Sequence, residues 1–400
     1  MLPVGSPAVG KDFVNREREI HTIMDALEKD NILLIAPRRY GKTSIMKRIE
    51  TILGEEKGED TPVIFIDIHD VYSPQEFLIE LATGAFDMAK DKKSFIEKLK
   101  SSFSGMLKDL EELEISLGEL KVKFKRSLKE EIERGEWKEE GRTLFTFIKK
   151  YFDESVYFII DEFSECVHNM HTIDKGKNKE AEAFLKWFRS VRMRESGLKF
   201  IIGGSVSIDR VVRNVTALSS INDFRRVTID GFGKNIALGI VRKVFEEEGW
   251  KYTDRIGEKI IECIGVPSVP YFLSVFLSVI QEESAGRDLD EKYIEEIYNS
   301  KLMGANGKHY FDYYVQRLKI YYEKKEERAA KAILKELCQT GEISKGIAFD
   351  IFKEKTNADS YGWFVDLISD LENDFYLKQT EDVIVFYSKT LKDWWRLYYV

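Results

Sequence analysis

Cysteine is nearly absent from this chain of 400 residues: Cys166, Cys263 and Cys338 stand far apart, with no CxxC pair. That excludes a disulfide framework and a structural zinc site, and it suits a reducing compartment. A long apolar run is lacking too. The longest, Val266–Ile280, is too short to span a bilayer and reads as a buried helix. The first residues carry no apolar core of the kind a secretory leader needs, so a cytoplasmic protein without membrane association is expected. There is no excess of positive charge either. The net charge of −8 argues against a surface built throughout for nucleic acid, although a local basic patch stays open. Internal repeats and low-complexity segments are missing.

What is present is ordinary for a globular protein: 43% apolar and 33% charged residues, enough for two or three domains with a sizeable core. Lys and Glu are abundant and Gln is scarce, which fits a thermophile's surface. Short apolar runs at Asn31–Ile35, Val63–Ile68, Val156–Ile160, Lys199–Ile202 and Arg226–Ile229 suit buried strands. Helical patterns at Pro74–Met88, Arg142–Phe152 and Lys179–Arg194 fall between them. The alternation predicts an α/β fold with a parallel sheet covered on both faces, over residues 1–232.

A charged insertion at about 90–140 interrupts it. Leu110, Leu113, Leu117, Leu120 and Phe124 have coiled-coil spacing. However, Leu113, Ile115, Leu117 and then Leu120, Val122, Phe124 also alternate with polar residues about Gly118–Glu119, and a hairpin accounts for all of them. Helical patterns at Lys234–Glu248, Asp254–Cys263 and Val269–Glu282 predict a helical domain over 233–300. Residues 301–400 read as a helical linker and a winged-helix domain, its wing formed by Tyr376–Leu377 and Val383–Phe386 around Thr380–Asp382.

The chemistry begins at Ala36-Pro37-Arg38-Arg39-Tyr40-Gly41-Lys42-Thr43, which fits G-x-x-x-x-G-K-[ST] with Ala in place of the first Gly and Ser44 following. Such a loop aims backbone N–H groups and a helix N-terminus at phosphate oxygens. Gly41 lets the main chain come close, Lys42 reaches the β and γ phosphates, and the Thr43 hydroxyl is a ligand for Mg²⁺. A buried strand before it and a helix after it supply the expected context. The second half is Val156–Glu162, an apolar strand ending in Asp161 and Glu162 at the edge where parallel sheets bind ligands. Asp161 suits Mg²⁺ and Glu162 suits polarising the attacking water. An ATPase using ATP and Mg²⁺ is the expectation. Adenine is favoured over guanine because Asn178-Lys179-Glu180-Ala181 lacks the Asp of a guanine motif.

These two segments resemble the archaeal ATPase family of the STAND branch of AAA+-related P-loop ATPases. Phe13-Val14-Asn15-Arg16-Glu17-Arg18-Glu19 is similar to that family's opening box, which implies that Phe13 and Val14 pack on adenine. Ile202-Gly203-Gly204-Ser205 resembles its sensor strand, implying that Ser205 reads the γ phosphate. Val227–Phe232 resembles the strand that leads into a helical lid. Gly265-Val266-Pro267 resembles the lid's Gly-x-Pro, implying that Pro267 meets the nucleotide. The resemblance implies a molecular switch whose lid and winged helix respond to ATP versus ADP, with an oligomer forming on activation. Where related ATPases carry Ser-Arg-Phe, this chain has Asn222-Asp223-Phe224 followed by Arg225 and Arg226, so an arginine finger has no assignment. Arg38 and Arg39 suit phosphate, a partner or plain surface salt bridges.

Smaller signals point to packing. Cys166, His168 and His171 lack a fourth metal ligand. His69 and His309 read as structural, and Trp394, Trp395, Tyr398 and Tyr399 as core. The expected recognition helix, about Asp359–Glu372, carries Asp359, Asp366, Asp370 and Glu372 with no Lys or Arg, and Glu381 and Asp382 make the wing acidic. DNA phosphates would be repelled. A protein partner on the winged helix is therefore favoured over DNA binding of the origin-recognition type. A scaffold that binds nucleotide without turnover is the third reading.

Overall fold

The computed structural model describes residues 5–10, 13–58, 61–102, 117–134, 136–173, 179–215, 217–284 and 288–400. The chain folds as two compact units. One comprises Arg16–Ile35 and Ile45–Thr228; the other comprises Met1–Asn15, Ala36–Ser44 and Ile229–Val400. Among the described residues no helix is long and apolar enough to cross a membrane.

The first unit is built on α1 (Glu17–Leu27), β1 (Asn31–Ile35), α2 (Lys42–Lys57), β2 (Val63–Asp67), α3 (Pro74–Met88), α4 (Lys92–Ser102), α5 (Leu117–Arg134), α6 (Trp137–Phe152), β3 (Val156–Asp161), α7 (Phe163–Ile173), α8 (Lys179–Arg194), β4 (Leu198–Gly204), α9 (Ile208–Asn214) and β5 (Phe224–Thr228). Its five strands pair in parallel in the order β2-β3-β4-β1-β5. The expected α/β sheet is thus present, each apolar run having become a strand. β3 is buried at all six positions, as a central strand covered on both faces must be. Its Phe158 stacks on Phe200 of β4 at 5.0 Å. Helix starts follow local chemistry: the Ser73 hydroxyl accepts the Glu76 N–H at 3.2 Å, the Glu76 carboxylate accepts the Tyr72 N–H, and Pro74 opens α3.

The hairpin expected about Gly118–Glu119 is not there. Both residues lie inside α5, while Leu113 and Ile115 lie outside the described residues. The spacing of Leu120, Phe124, Leu128 and Ile132, four residues apart, puts all of them on one buried face of a helix. Phe124 stacks on Phe86 of α3 at 4.8 Å, and Lys121 and Lys125 reach Asp87 and Glu80 of the same helix. Val122, which alternation had turned inward, is left exposed. Tertiary packing on α3 outweighs both the alternation and the helix-weakening Gly118.

The second unit carries α10 (Lys234–Glu247), α11 (Asp254–Ile264), α12 (Pro270–Glu283), α13 (Glu291–Ile297), α14 (Asp312–Tyr321), α15 (Lys324–Thr340), β6 (Glu342–Ser344), α16 (Lys345–Thr356), α17 (Tyr361–Asn373), β7 (Leu377–Gln379), β8 (Val383–Phe386) and α18 (Lys389–Tyr399). The apolar run Val266–Ile280 becomes most of α12, with Phe272, Leu273, Phe276 and Leu277 buried. The expected wing strands form β7 and β8, and β6 joins them in an antiparallel sheet ordered β6-β8-β7. Trp394 and Trp395 are core residues, with Trp394 stacked on Phe311 at 5.5 Å.

Candidate functional site

The phosphate loop starts at the residue after Ile35, which ends β1 opposite Gly204 of β4. Gly41 takes φ +86°, a left-handed conformation that glycine adopts without steric cost, and Lys42 then opens α2 with its side chain buried. Arg39 takes φ +76°, which an arginine adopts only when its surroundings hold it. The Ser44 hydroxyl accepts the Ala8 N–H at 2.9 Å, tying the N-terminal segment to the loop. That segment holds Phe13 and Val14, both half-buried, and Phe13 donates its N–H to Gly10 at 3.2 Å.

Aromatic rings stand against both Arg38 and Arg39. Arg39 lies 3.9 Å over the Tyr271 ring and donates from Nη1 to the Tyr310 carbonyl at 2.5 Å. Arg38 lies 4.9 Å over Tyr313. Tyr40 is buried between Phe375 and Tyr387, at 5.0 and 6.1 Å.

In the sheet, Asp161 ends β3 and is 1% exposed; its Oδ1 accepts the Glu162 N–H at 2.9 Å. Glu162 sits at φ +58°. Its two carboxylate oxygens accept the Ser205 hydroxyl at 2.9 and 2.8 Å, and one also accepts the Ser205 N–H at 3.1 Å. Ser205, expected as a γ-phosphate sensor, thus holds the carboxylate expected to act on water. Gly204 permits this arrangement. A Cβ there would lie 1.6 Å from the Ser164 hydroxyl oxygen and 2.8 Å from the Ser164 backbone nitrogen.

Two carboxylates escaped the sequence reading. Glu165 is buried, accepts the Ser205 N–H at 2.9 Å, and accepts the Ser164 hydroxyl at 3.0 Å. It lies one helical turn beyond Glu162, and that spacing was the available signal. Asp67 ends β2 directly opposite Asp161. Burial raises its carboxyl pKa most, the Asp161 and Glu162 charges raise it further, and the His69 N–H donating at 3.0 Å opposes them. The sheet edge therefore concentrates acid at Asp67, Asp161, Glu162 and Glu165.

In the other unit, the segment resembling a lid entrance meets the Gly-x-Pro. Phe232 and Ser268 exchange backbone hydrogen bonds of 2.7 and 2.8 Å, and the Val266–Pro267 peptide is cis. A Cβ on Gly231 would lie 2.9 Å from the Ser268 carbonyl and 3.0 Å from Pro267. Two motifs far apart in sequence are brought together here.

The arginines around β5 have acidic partners in their own unit. Arg225 pairs with Asp30 at 3.7 Å, and Arg226 pairs with Asp209 through both nitrogens at 2.6 Å. Asp223 accepts two bonds of 2.9 Å from Arg192, which is stacked between Phe188 and Phe224. Neighbouring His168 is pushed down to about 4, first by burial and then by His171 and Arg210, and burial pushes the Cys166 thiol up. Both remain neutral at pH 7. Among the described residues, His, Cys, Asp and Glu form no three-membered metal cluster.

A family model described as predicted AAA-ATPase matches residues 10–209, half of the chain. No curated protein matches the sequence. Among solved structures, a Walker-type ATPase of Pyrococcus abyssi superposes with TM-score 0.65 at 16% identity, covering 98% of both chains. The ORC2 protein of Aeropyrum pernix, solved in ADPNP-ADP complexes, gives 0.53 at 10% identity over 94% of this chain and 92% of its own. At these identities the likeness is one of fold.

Proposed function

We propose that this chain, which belongs to the predicted AAA-ATPase family, uses its ATPase chemistry as a molecular switch of the STAND type. ATP use and ATPase activity follow from the family. The finer assignments are ours. Lys42 binds the β and γ phosphates, the loop 36–44 cradles them with its N–H groups, and Glu162 orients water. The single Ser205 O–H donates to Glu162 here and would turn to the γ phosphate when ATP is bound. Phe13, Val14 and Pro267 line the base. The observation that carries the reading is the strained, hydrogen-bonded Glu162 beside buried Asp161 at the end of a fully buried strand. Backbone strain of this kind is retained where function uses it.

The donor chemistry fits Mg²⁺. Asp161 at the end of β3 offers a hard oxygen ligand, as does the Thr43 hydroxyl in its own unit, and the Asp67 carboxyl opposite Asp161 is raised by burial first and by the Asp161 and Glu162 charges after it. Bound there, the ion would offset the charge of the phosphate oxygens.

The C-terminal order helix, strand, helix, helix, strand, strand (α15 to β8) is read as a winged helix that contacts protein. In support, its α17 carries exposed Asp366 and half-buried Glu372 without a basic residue, the Asp370 counted from sequence being buried, and Tyr361, Val365 and Ile347 are exposed on α17 and α16. The chain is expected in the cytoplasm, assembling on activation. Calorimetry with ATP and MgCl₂ tests the site: wild type should give a binding isotherm, and Lys42→Ala should lose it. Equal binding by Lys42→Ala would remove the phosphate assignment. A salt titration against duplex DNA tests the wing, with tight binding and a steep salt slope contradicting the protein-contact reading.

A further inference from the structure

We propose that Arg39 is a positioning residue for the phosphate loop, and that Tyr271, Tyr310 and Tyr313 are what hold it. The inference rests on the reading that this loop binds ATP. Arg39 combines a left-handed backbone with a side chain engaged at three points: the Tyr310 carbonyl at 2.5 Å, the Tyr271 ring at 3.9 Å and the Tyr313 ring at 5.8 Å. Its neighbours extend the contact, Arg38 onto Tyr313 and Tyr40 into the pocket of Phe375 and Tyr387. Three consecutive loop residues therefore end on the C-terminal part of their own unit. The anchors come from the first turn of α12, the stretch before α14, α14 itself and the flanks of the wing strands.

The physical consequence is a linkage. A left-handed arginine two residues before a left-handed glycine bends the loop twice, and the turn keeps its shape only while the guanidinium is gripped. Phosphate that orders the cradle steadies the tyrosines, and tyrosines that release Arg39 weaken phosphate binding by the same factor. Arg38 and Arg39 are, in this account, the loop's anchors, and Lys42 supplies the phosphate-facing positive charge.

The test uses the full chain with Arg39→Ala, Tyr271→Leu and Tyr271→Phe. Without nucleotide, amide exchange over Ala305–Tyr313 should speed up about tenfold in the first two and distinctly less in Tyr271→Phe, which keeps the ring face and loses only the hydroxyl's bond to Arg39. The ATP dissociation constant should rise about tenfold in Tyr271→Leu, the scale expected for losing one partly buried cation–π contact, and at least as much in Arg39→Ala, with Tyr271→Phe closer to wild type than either. Faster exchange with unchanged ATP affinity overturns the proposal, because the contact is then packing alone. Unchanged exchange in Arg39→Ala overturns it as well. Failure of wild type to bind ATP would remove the reading beneath it and the nucleotide half of the linkage, while the exchange arm still decides whether Arg39 is gripped.

Discussion

Asp374→Ala should be among the most damaging single changes in the C-terminal unit. Asp374 and Arg317 are each 1% exposed, and Arg317 donates to Asp374 Oδ1 at 3.0 Å while the Tyr322 hydroxyl donates to Oδ2 at 2.9 Å. Removing the carboxylate takes from the buried guanidinium the negative charge it donates to, and from the phenol the oxygen it donates to. Breaking such a pair from one side costs about 3–5 kcal/mol. For a unit of this size each kcal/mol lowers the melting temperature by roughly 2–4 °C, so a fall of about 10 °C is expected. Scanning calorimetry of the full chain measures it. The companion is the triple change Arg317→Met, Asp374→Leu, Tyr322→Phe, which removes these three polar groups together. It should recover most of the loss, because an apolar replacement of similar volume avoids the desolvation penalty. A triple variant as unstable as Asp374→Ala would refute the reasoning, since the cost would then lie in shape rather than in uncompensated charge. The cluster also fixes α14, which carries the Tyr313 ring beneath Arg38.

Two further outcomes follow from the first unit. Gly204→Ala should lose most ATPase activity and destabilise the chain by about 1–3 kcal/mol, because its methyl would drive into Ser164 and displace the Ser205–Glu162 bonds; urea unfolding and turnover measure both, and normal turnover would contradict the geometry. His168, held near 4 against an ordinary 6.5, binds its proton more weakly folded than unfolded. The stability it contributes is therefore fully present above pH 6.5 and lost as pH falls toward 4, by about 2 kcal/mol after allowing for its partial exposure. A His168→Gln chain should show a shallower melting-temperature decline over that window, and an identical decline would refute the assignment.

Much of the sheet was legible in the sequence because parallel strands buried on both faces read as short unbroken apolar runs, as Val156-Tyr157-Phe158-Ile159-Ile160 does. The short β6 was not, since Glu342-Ile343-Ser344 buries one side chain and carries no periodic signal. The α5 helix was misread because two periods coexist in one segment, and only the stack of Phe124 on Phe86 decides between them. The phosphate loop and the acidic pair were legible as chemistry. The engagement of Arg39 was not: its carbonyl partner is 271 residues away, and nothing local announces it. Glu165 and Asp67 were hidden for a related reason, their importance arising from the register that sets Asp67 opposite Asp161 and from the turn that carries Glu165 back to Ser205.

The most direct measurement is single-turnover hydrolysis of ATP by wild type, Glu162→Gln and Ser205→Ala, with bound nucleotide recovered and identified. Wild type should release ADP. Glu162→Gln should retain intact ATP with turnover lowered at least about a hundredfold, the scale of a lost general base, and Ser205→Ala should fall between them. Glu162→Gln cleaving ATP at the wild-type rate would contradict the account, because the carboxylate held by Ser205 would then have no part in the chemistry.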